Sequence, residues 1–472
     1  MVAVLLGCMA SKAQVASVDF FPQGKVLAQS YEPIFIGCEE GQAVFVQLTG
    51  RLRNKMELAS FDMEQKELAR VSLTDDKEVK CHGGYINGDN IDLLMTEWKN
   101  EGMRVYRDRR DRKTLQPSGE VLSLVDYKGT QGDKMAFSMG VSPSQQLLAG
   151  LYLIGREGQP GEVQVGLYGR DLEEYWKMDS RCRSFDMMYV TDSGDVLLGS
   201  YEGEKYKLYI LDGEREEEYS FEAEAKPVEV QIARYANGKV FLVFTHSEKL
   251  DWPIGGTMVD YVGVITFDIR TKAVRTEQHQ INKVEYNRLN NEKDGARVKK
   301  DDYRVMYMSL NQTMEDGDGC YAMLDQTWRV TLDGVPSSFH RMGMMVCRIG
   351  DDGRFEWVKT FRVSNVTDWE ARRLADYRWV KTAKGPLLVW VEGKSSYDNP
   401  EEKPVKDFKT LNSAGILTAL LMGSDGSLTR QHYEIPSKQS LLGAPHLMDN
   451  GDYLLLMRGS SRGYFAKVKL EK

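Results

Sequence analysis

Between residues 183 and 222 short apolar runs alternate with tight polar turns. Arg183 to Val190 is followed by Thr191-Asp192-Ser193-Gly194-Asp195, and Val196 to Tyr201 by Glu202-Gly203-Glu204-Lys205. Tyr206 to Asp212 then passes through Gly213 and Glu214 into Glu217 to Phe221. Runs this short, rich in Val, Ile, Leu, Tyr and Met, suit strands better than helices. Gly and Asp in the turns tolerate the positive φ that hairpins require. Val196-Leu197-Leu198 is apolar without alternation, so both faces of that strand need cover. A lone four-stranded meander cannot supply it; sheets stacked on one another can.

The unit recurs along the chain. The first is Ile34-Phe35-Ile36, Ala43 to Val46, Lys55 to Phe61 and Glu67 to Leu73. The second and third run from His82 to Val125 and from Met135 to Met178, and the fifth from Val228 to His279. The sixth is Tyr303 to Leu310, Cys320 to Leu324, Met344 to Ile349 and Phe355 to Phe361. The seventh runs from Tyr377 to Tyr433. The last holds three strands only: His446-Leu447-Met448, Tyr453 to Met457 and Tyr464 to Val468. Asp-Gly and Asn-Gly turns repeat throughout, as at Asn237-Gly238, Asp425-Gly426 and Asn450-Gly451. A spacing of about 40–60 residues matches known blade periods.

At the level of this blade pattern the chain resembles the β-propeller superfamily. It lacks the Trp-Asp dipeptides of WD repeats, the kelch pattern of paired glycines, and the Trp-docking signature of quinone-dependent eight-bladed dehydrogenases. The resemblance implies an all-β fold: a single β-propeller over 15–472 with eight four-stranded blades, seven being the alternative. The spare N-terminal run Val15 to Phe21 would complete the three-stranded last blade and hide two exposed edges. Lys25 to Tyr31 is reserved for the same closure.

Composition places the chain among globular proteins, with 42% hydrophobic and 28% charged residues. A net charge of −8 argues against a nucleic-acid partner. The basic run Arg104 to Lys113 is interrupted by Asp108 and Asp111, the pattern of a solvated face. Residues 1–14 read as an export signal with small residues Ser11 and Ala13 at the cleavage positions. Leu5-Leu6-Gly7-Cys8 also resembles a bacterial lipobox, which would make Cys8 a lipid-attachment site. A basic leading segment is missing, which leaves room for an upstream start. No segment is long enough to span a bilayer as a helix. Cys38, Cys81, Cys182, Cys320 and Cys347 show no C-x-x-C spacing. Cys320 and Cys347 fall in neighbouring strands and could pair; isolated apolar packing is the simpler expectation.

Irregularity is concentrated late in the chain. The second-to-third strand connections of units five to seven are expanded: Ser247 to Met258, Asp325 to Met342 and Gly393 to Gly415. So are the unit-to-unit connections Ile281 to Asp302 and Ser364 to Asp376. In an up-and-down blade these two kinds of connection emerge at the same end, so all the expansions should crowd one rim. Long loops in compact domains often carry binding. Trp252, Trp328, Phe339, His340, Trp369 and Tyr397 lie in them, and large aromatics dominate binding hot spots.

Catalytic motifs fail on context. Gly459-Ser460-Ser461-Arg462-Gly463 has the spacing of a nucleophile elbow, but no His follows and no helix is expected. Gly393-Lys394-Ser395 lacks the partner glycine of a phosphate loop, Leu388 standing there. Met314 to Gly319 is acidic like a calcium loop, yet the next alternate ligand would be Cys320. The six histidines are dispersed. Asp251, Asp260, Asp325 and Asp333 are near enough in topology to suggest paired carboxylates of a glycosidase. No metal or cofactor is expected. The sequence therefore points to a non-catalytic binding or scaffold propeller, exported to the periplasm, outer membrane or surface of a bacterial envelope. It would recognise an envelope protein or a glycan through the rim of blades five to seven. A carbohydrate-active hydrolase or lyase on the same rim is the alternative, and a structural subunit of an outer-membrane assembly a third reading.

Overall fold

The computed structural model describes residues 15–20, 33–49, 55–64, 66–99, 102–128, 133–156, 162–224, 227–247, 258–293, 296, 303–332, 335–368, 377–382, 385–394, 403–409, 415–435, 438–441, 446–448, 451–459 and 463–470. Within the described residues each apolar run becomes a strand, and the strands sort into eight antiparallel blades in chain order; Lys25 to Tyr31 lies outside the described residues. Blade four is Met187–Val190, Val196–Glu202, Lys205–Leu211 and Glu216–Phe221. Blade five is Pro227–Ala236, Lys239–His246, Tyr261–Asp268 and Val274–Gln280. Blade six is Met308–Asp316, Gly319–Leu332, Val335–Gly350 and Phe355–Phe361. In blade seven, Arg378–Thr382 and Gly385–Gly393 precede Gly415–Met422 and Leu428–Glu434.

Burial follows position within the blade. The third strand of blade seven is buried along its whole length, whereas the fourth is half-buried from Leu428 to Tyr433 and exposed at Glu434. Continuous apolar runs sit mid-blade, where a sheet covers each face, and alternating polar runs sit at the outer edge. Blade packs on blade through apolar clusters. Val243 and Val264 of blade five, for example, share a cluster with Cys320, Cys347 and Ile349 of blade six. All five cysteines in the described residues are buried, and none is joined in a disulfide. Cys320 lies opposite Ile349 and Cys347 opposite Ala322, so the pair allowed by sequence is not formed.

The ring closes as the repeat count requires. Val15–Phe20 pairs antiparallel with Gly463–Leu470, Val18 opposite Val468 and Phe20 opposite Ala466. Blade eight is therefore made of both ends of the chain. Its face packs on blade one, with Leu454 and Leu456 against Phe45 and Phe61. At the inner edge the Phe35 and His446 rings lie 4.0 Å apart.

Polar locks join the turns. Asp316 pairs with Gly319, which makes the acidic Met314 to Gly319 stretch a hairpin. The buried Arg348 lies 3.3 Å from Asp316, 2.6 Å from Asp318 and 2.6 Å from Glu356, so these acids neutralise an arginine.

One expectation is corrected. Asp325 to Met342, read as an irregular connection, continues the blade as a hairpin that runs on to Leu332 opposite Val335. The alternating Thr327-Trp328-Arg329-Val330 favours a strand, and Asp333-Gly334 is the dipeptide of two-residue hairpins. A short helix, Lys283–Leu289, also lies in the connection from blade five to six. Asn282 and Glu285 cap it reciprocally, the spacing of a capping box.

Candidate binding site

Second-to-third connections and blade-to-blade connections share one face of the disc, and around blades five to seven they are woven together. Met258–Val259 pairs with Val305–Met306. Asn365–Asp368 adds antiparallel to the extended third strand of blade six, Arg341 opposite Asn365. Phe408–Lys409 then adds parallel to it. The Met258–Val259 pair is a separate two-stranded sheet, whereas the blade-six hairpin with Asn365–Asp368 and Phe408–Lys409 makes a second small β-layer rising from blade six, built from three connections.

Side chains fasten it. Asn291 exchanges two hydrogen bonds of 2.8 Å with the backbone of Val405. Gln326 donates to Asn290 at 3.1 Å, Arg362 to the Asn287 carbonyl at 3.0 Å, and Ser364 to Asp407 at 2.6 Å. Gly343 faces the helix so closely that a Cβ there would press into the Leu289 backbone.

Of the aromatics singled out by sequence, Trp328 and His340 are cross-strand partners on the hairpin. Their rings stack at 5.4 Å and 24°, and both side chains are partly exposed. Burial holds the His340 imidazole below its ordinary pKa, against an opposing pull from Asp407. Phe339, one residue along, takes the opposite face of the strand. There the buried Arg341 guanidinium lies 5.8 Å from the Phe339 ring and 5.1 Å from that of Tyr377. The structure thus joins Trp328 to His340 and separates Phe339 from them. Trp252, Trp369, Tyr397 and Cys8 lie outside the described residues.

Among the suggested carboxylates, Asp325 is buried and its Oδ2 lies 2.9 Å from Arg341 Nε, an ion pair rather than an available acid. Asp251 and Asp333 fall outside the described residues. Among the described residues no three His, Cys, Asp or Glu side chains converge as metal ligands would.

Sequence reasoning missed the central channel, about 660 Å³, which inner strands from blades two to eight line. Its wall mixes Tyr85, Met188, Gln231 and Lys381 with Glu315. Three blades meet on Glu315. The Tyr189 hydroxyl of blade four donates to it, and Arg234 Nε of blade five donates at 3.2 Å. Arg234 also donates to the Gly317 carbonyl at 2.6 Å. Burial first, then the Glu315 contact, raises the Tyr189 phenol pKa. A sequence signal existed: Gln312, Thr313 and Glu315 interrupt an innermost strand with polar groups.

A side pocket of about 470 Å³ opens beside this channel between blades four and five, sharing Asp186 and Gln231 with it.

No family model and no curated protein matches the sequence. Solved structures similar in outline include the WD40 domain of SCAP from fission yeast, at 9% identity over 96% of this chain and 94% of that one, TM-score 0.39. The β-propeller domain of the Trilobed protease from Pyrococcus furiosus is 11% identical over 86% of this chain and 100% of that one, TM-score 0.36. Prolyl oligopeptidase B from Galerina marginata is 9% identical over 92% of this chain, which spans 56% of it, TM-score 0.41. By its own strand order the chain is an eight-bladed β-propeller, its last blade completed by the N-terminal strand.

Proposed function

We propose that the chain is a non-catalytic binding propeller of the bacterial cell envelope, docking a protein partner on the face built up by blades five to seven. The supporting observation is the extra β-layer over blade six. Its connections are tied by inter-loop hydrogen bonds, so little ordering remains to oppose association. It presents the partly exposed Trp328–His340 pair, aromatic area on a rigid base. The Arg341 pairing of Asp325 weighs against the hydrolase reading, which needs two available carboxylates.

The test compares affinity capture from envelope fractions by the wild type and by the Trp328→Ala, His340→Ala double variant. A stoichiometric envelope protein retained by the first and weakened about tenfold or more for the second supports the reading. Equal capture by both sinks it, and saturable retention of a glycan in place of a protein replaces it. Export belongs to the same proposal. Recovery of the protein with a mature N-terminus after residue 13, or with Cys8 lipidated and Cys8→Ser soluble, is expected; cytosolic protein with residues 1–14 intact counts against it.

A further inference from the structure

We propose that the layer over blade six is held out in the water phase, off the membrane to which Cys8 tethers the chain, and that it receives a water-soluble protein surface rather than a bilayer-embedded one. This deepens the docking reading above and rests on it and on lipidation of Cys8.

Strand order decides the face on which each end of the chain leaves. Within a blade the first-to-second and third-to-fourth turns share one face of the disc, and the second-to-third connection opens on the other. In blade eight, Leu447 opposite Tyr453 closes the first-to-second turn, and Arg458 opposite Gly463 closes the second-to-third. Gly463–Leu470 therefore runs from the rim face to the opposite face, where Val468 lies across from Tyr453. Val15 stands opposite Leu470 and Phe20 opposite Ala466, so Val15–Phe20 starts on that opposite face and climbs back towards the rim. The chain that precedes Val15 thus enters beside Leu470, on the face away from every expanded connection.

Lengths decide whether the rim can turn to the same bilayer. Seven peptide links join Cys8 to Val15. However they are arranged, they span at most about 25 Å. The 8 residues of Gly463–Leu470 alone span about 27 Å at the rise of an antiparallel strand. The tether is therefore no longer than the disc is thick. The layer stands higher still. Val335–Gly350, the third strand of blade six, has 16 residues, an extended length of about 54 Å from the tether face at Gly350 to its far end at Val335. A disc turned rim-down would need a tether about twice its greatest extension. What the layer offers suits the aqueous side: the Trp328 and His340 rings, stacked at 5.4 Å and partly exposed, join apolar area to polar edges.

Energy transfer tests the geometry. The full chain is coupled through the Cys8 thiol to maleimide-phosphatidylethanolamine in vesicles of phosphatidylethanolamine and phosphatidylglycerol. The other five cysteines are buried, and burial pushes the Cys81 and Cys320 thiols up to about 12, so Cys8 is the one that reacts. A donor dye is attached through p-azidophenylalanine at Glu64 in a tether-face turn, at Lys55 on the rim face of the same blade, or at Val330 on the layer, all exposed positions. With a rhodamine lipid as acceptor, donor emission should be lost most at Glu64, less at Lys55 and least at Val330. Loss at Lys55 or Val330 that equals or exceeds the loss at Glu64 overturns the proposal. Photo-cross-linking from the Val330 azide should trap the partner through residues outside any membrane-spanning segment, and a cross-link inside one overturns it. Mass spectrometry of the N-terminal peptide from native membranes tests the tether: a diacylglyceryl group on Cys8 supports it, and unmodified Cys8 or a chain starting at Gln14 overturns it. None of these outcomes changes capture by the Trp328→Ala, His340→Ala variant, so the orientation and the docking reading can fail separately.

Discussion

Two titrating side chains show how single positions report on the ring. His446 lies against Phe35 where the last blade meets the first, and burial lowers its pKa to about 4. An unfolded His takes its proton near pH 6.5. Between those values the unfolded chain binds the extra proton, so stability falls as pH drops through the window. Thermal unfolding of the wild type should show this fall between pH 6.5 and about 4, and His446→Phe should flatten it. Glu229 works in the other direction. Its folded pKa is raised, so its charge costs stability fully above the folded pKa and not at all below the unfolded one. Glu229→Gln should therefore melt higher than the wild type at pH 7.5, the gap closing as pH approaches about 4. Neither role was legible in the sequence. Glu229 stands among Val228, Val230 and Ile232, where an alternating strand pattern reads as a solvent-facing acid. Only the meeting of blades four, five and six turns its outward side into a pocket.

At the scale of elements the strand pattern was legible almost throughout, because length, turn dipeptides and unbroken apolar runs all favour the same assignment. The miss at Asp325 to Met342 arose because the stretch is too long for a tight turn, although Thr327 to Val330 alternates, and because the outer partner of its second half, Asn365–Asp368, is contributed from another connection. The rim's solidity rests on close approach between such pieces. Gly343→Ala should push the helix Lys283–Leu289 off the third strand of blade six and destabilise the protein by about 1–3 kcal/mol in urea unfolding. Hydrogen exchange should then rise over 283–290 and leave blades one to three unchanged. Uniform loss of protection across the ring would show that the helix is not a local clamp.

For the whole molecule, the eight-blade count was legible because the final unit is one strand short and the first run is in excess. The channel was not, since which side of an innermost strand faces the axis depends on the curvature of the closed ring rather than on period alone. Closure also predicts behaviour. Removing residues 1–20 should expose the Gly463–Leu470 edge, lower Tm, and give concentration-dependent oligomers in size-exclusion chromatography. A truncated chain that stays monomeric with wild-type Tm would mean that the terminal strand is dispensable.

The pairing of Val15–Phe20 with Gly463–Leu470 sets an order of events during biosynthesis. The earliest strand made must wait for nearly the last, on the order of 20–90 s at ordinary translation rates. Through that delay it is an unpartnered β-segment in need of shielding or a temporary neighbour. A circular permutant that opens the chain at the Glu202–Lys205 turn of blade four and joins the present ends would remove the wait, and should refold with less loss to aggregation.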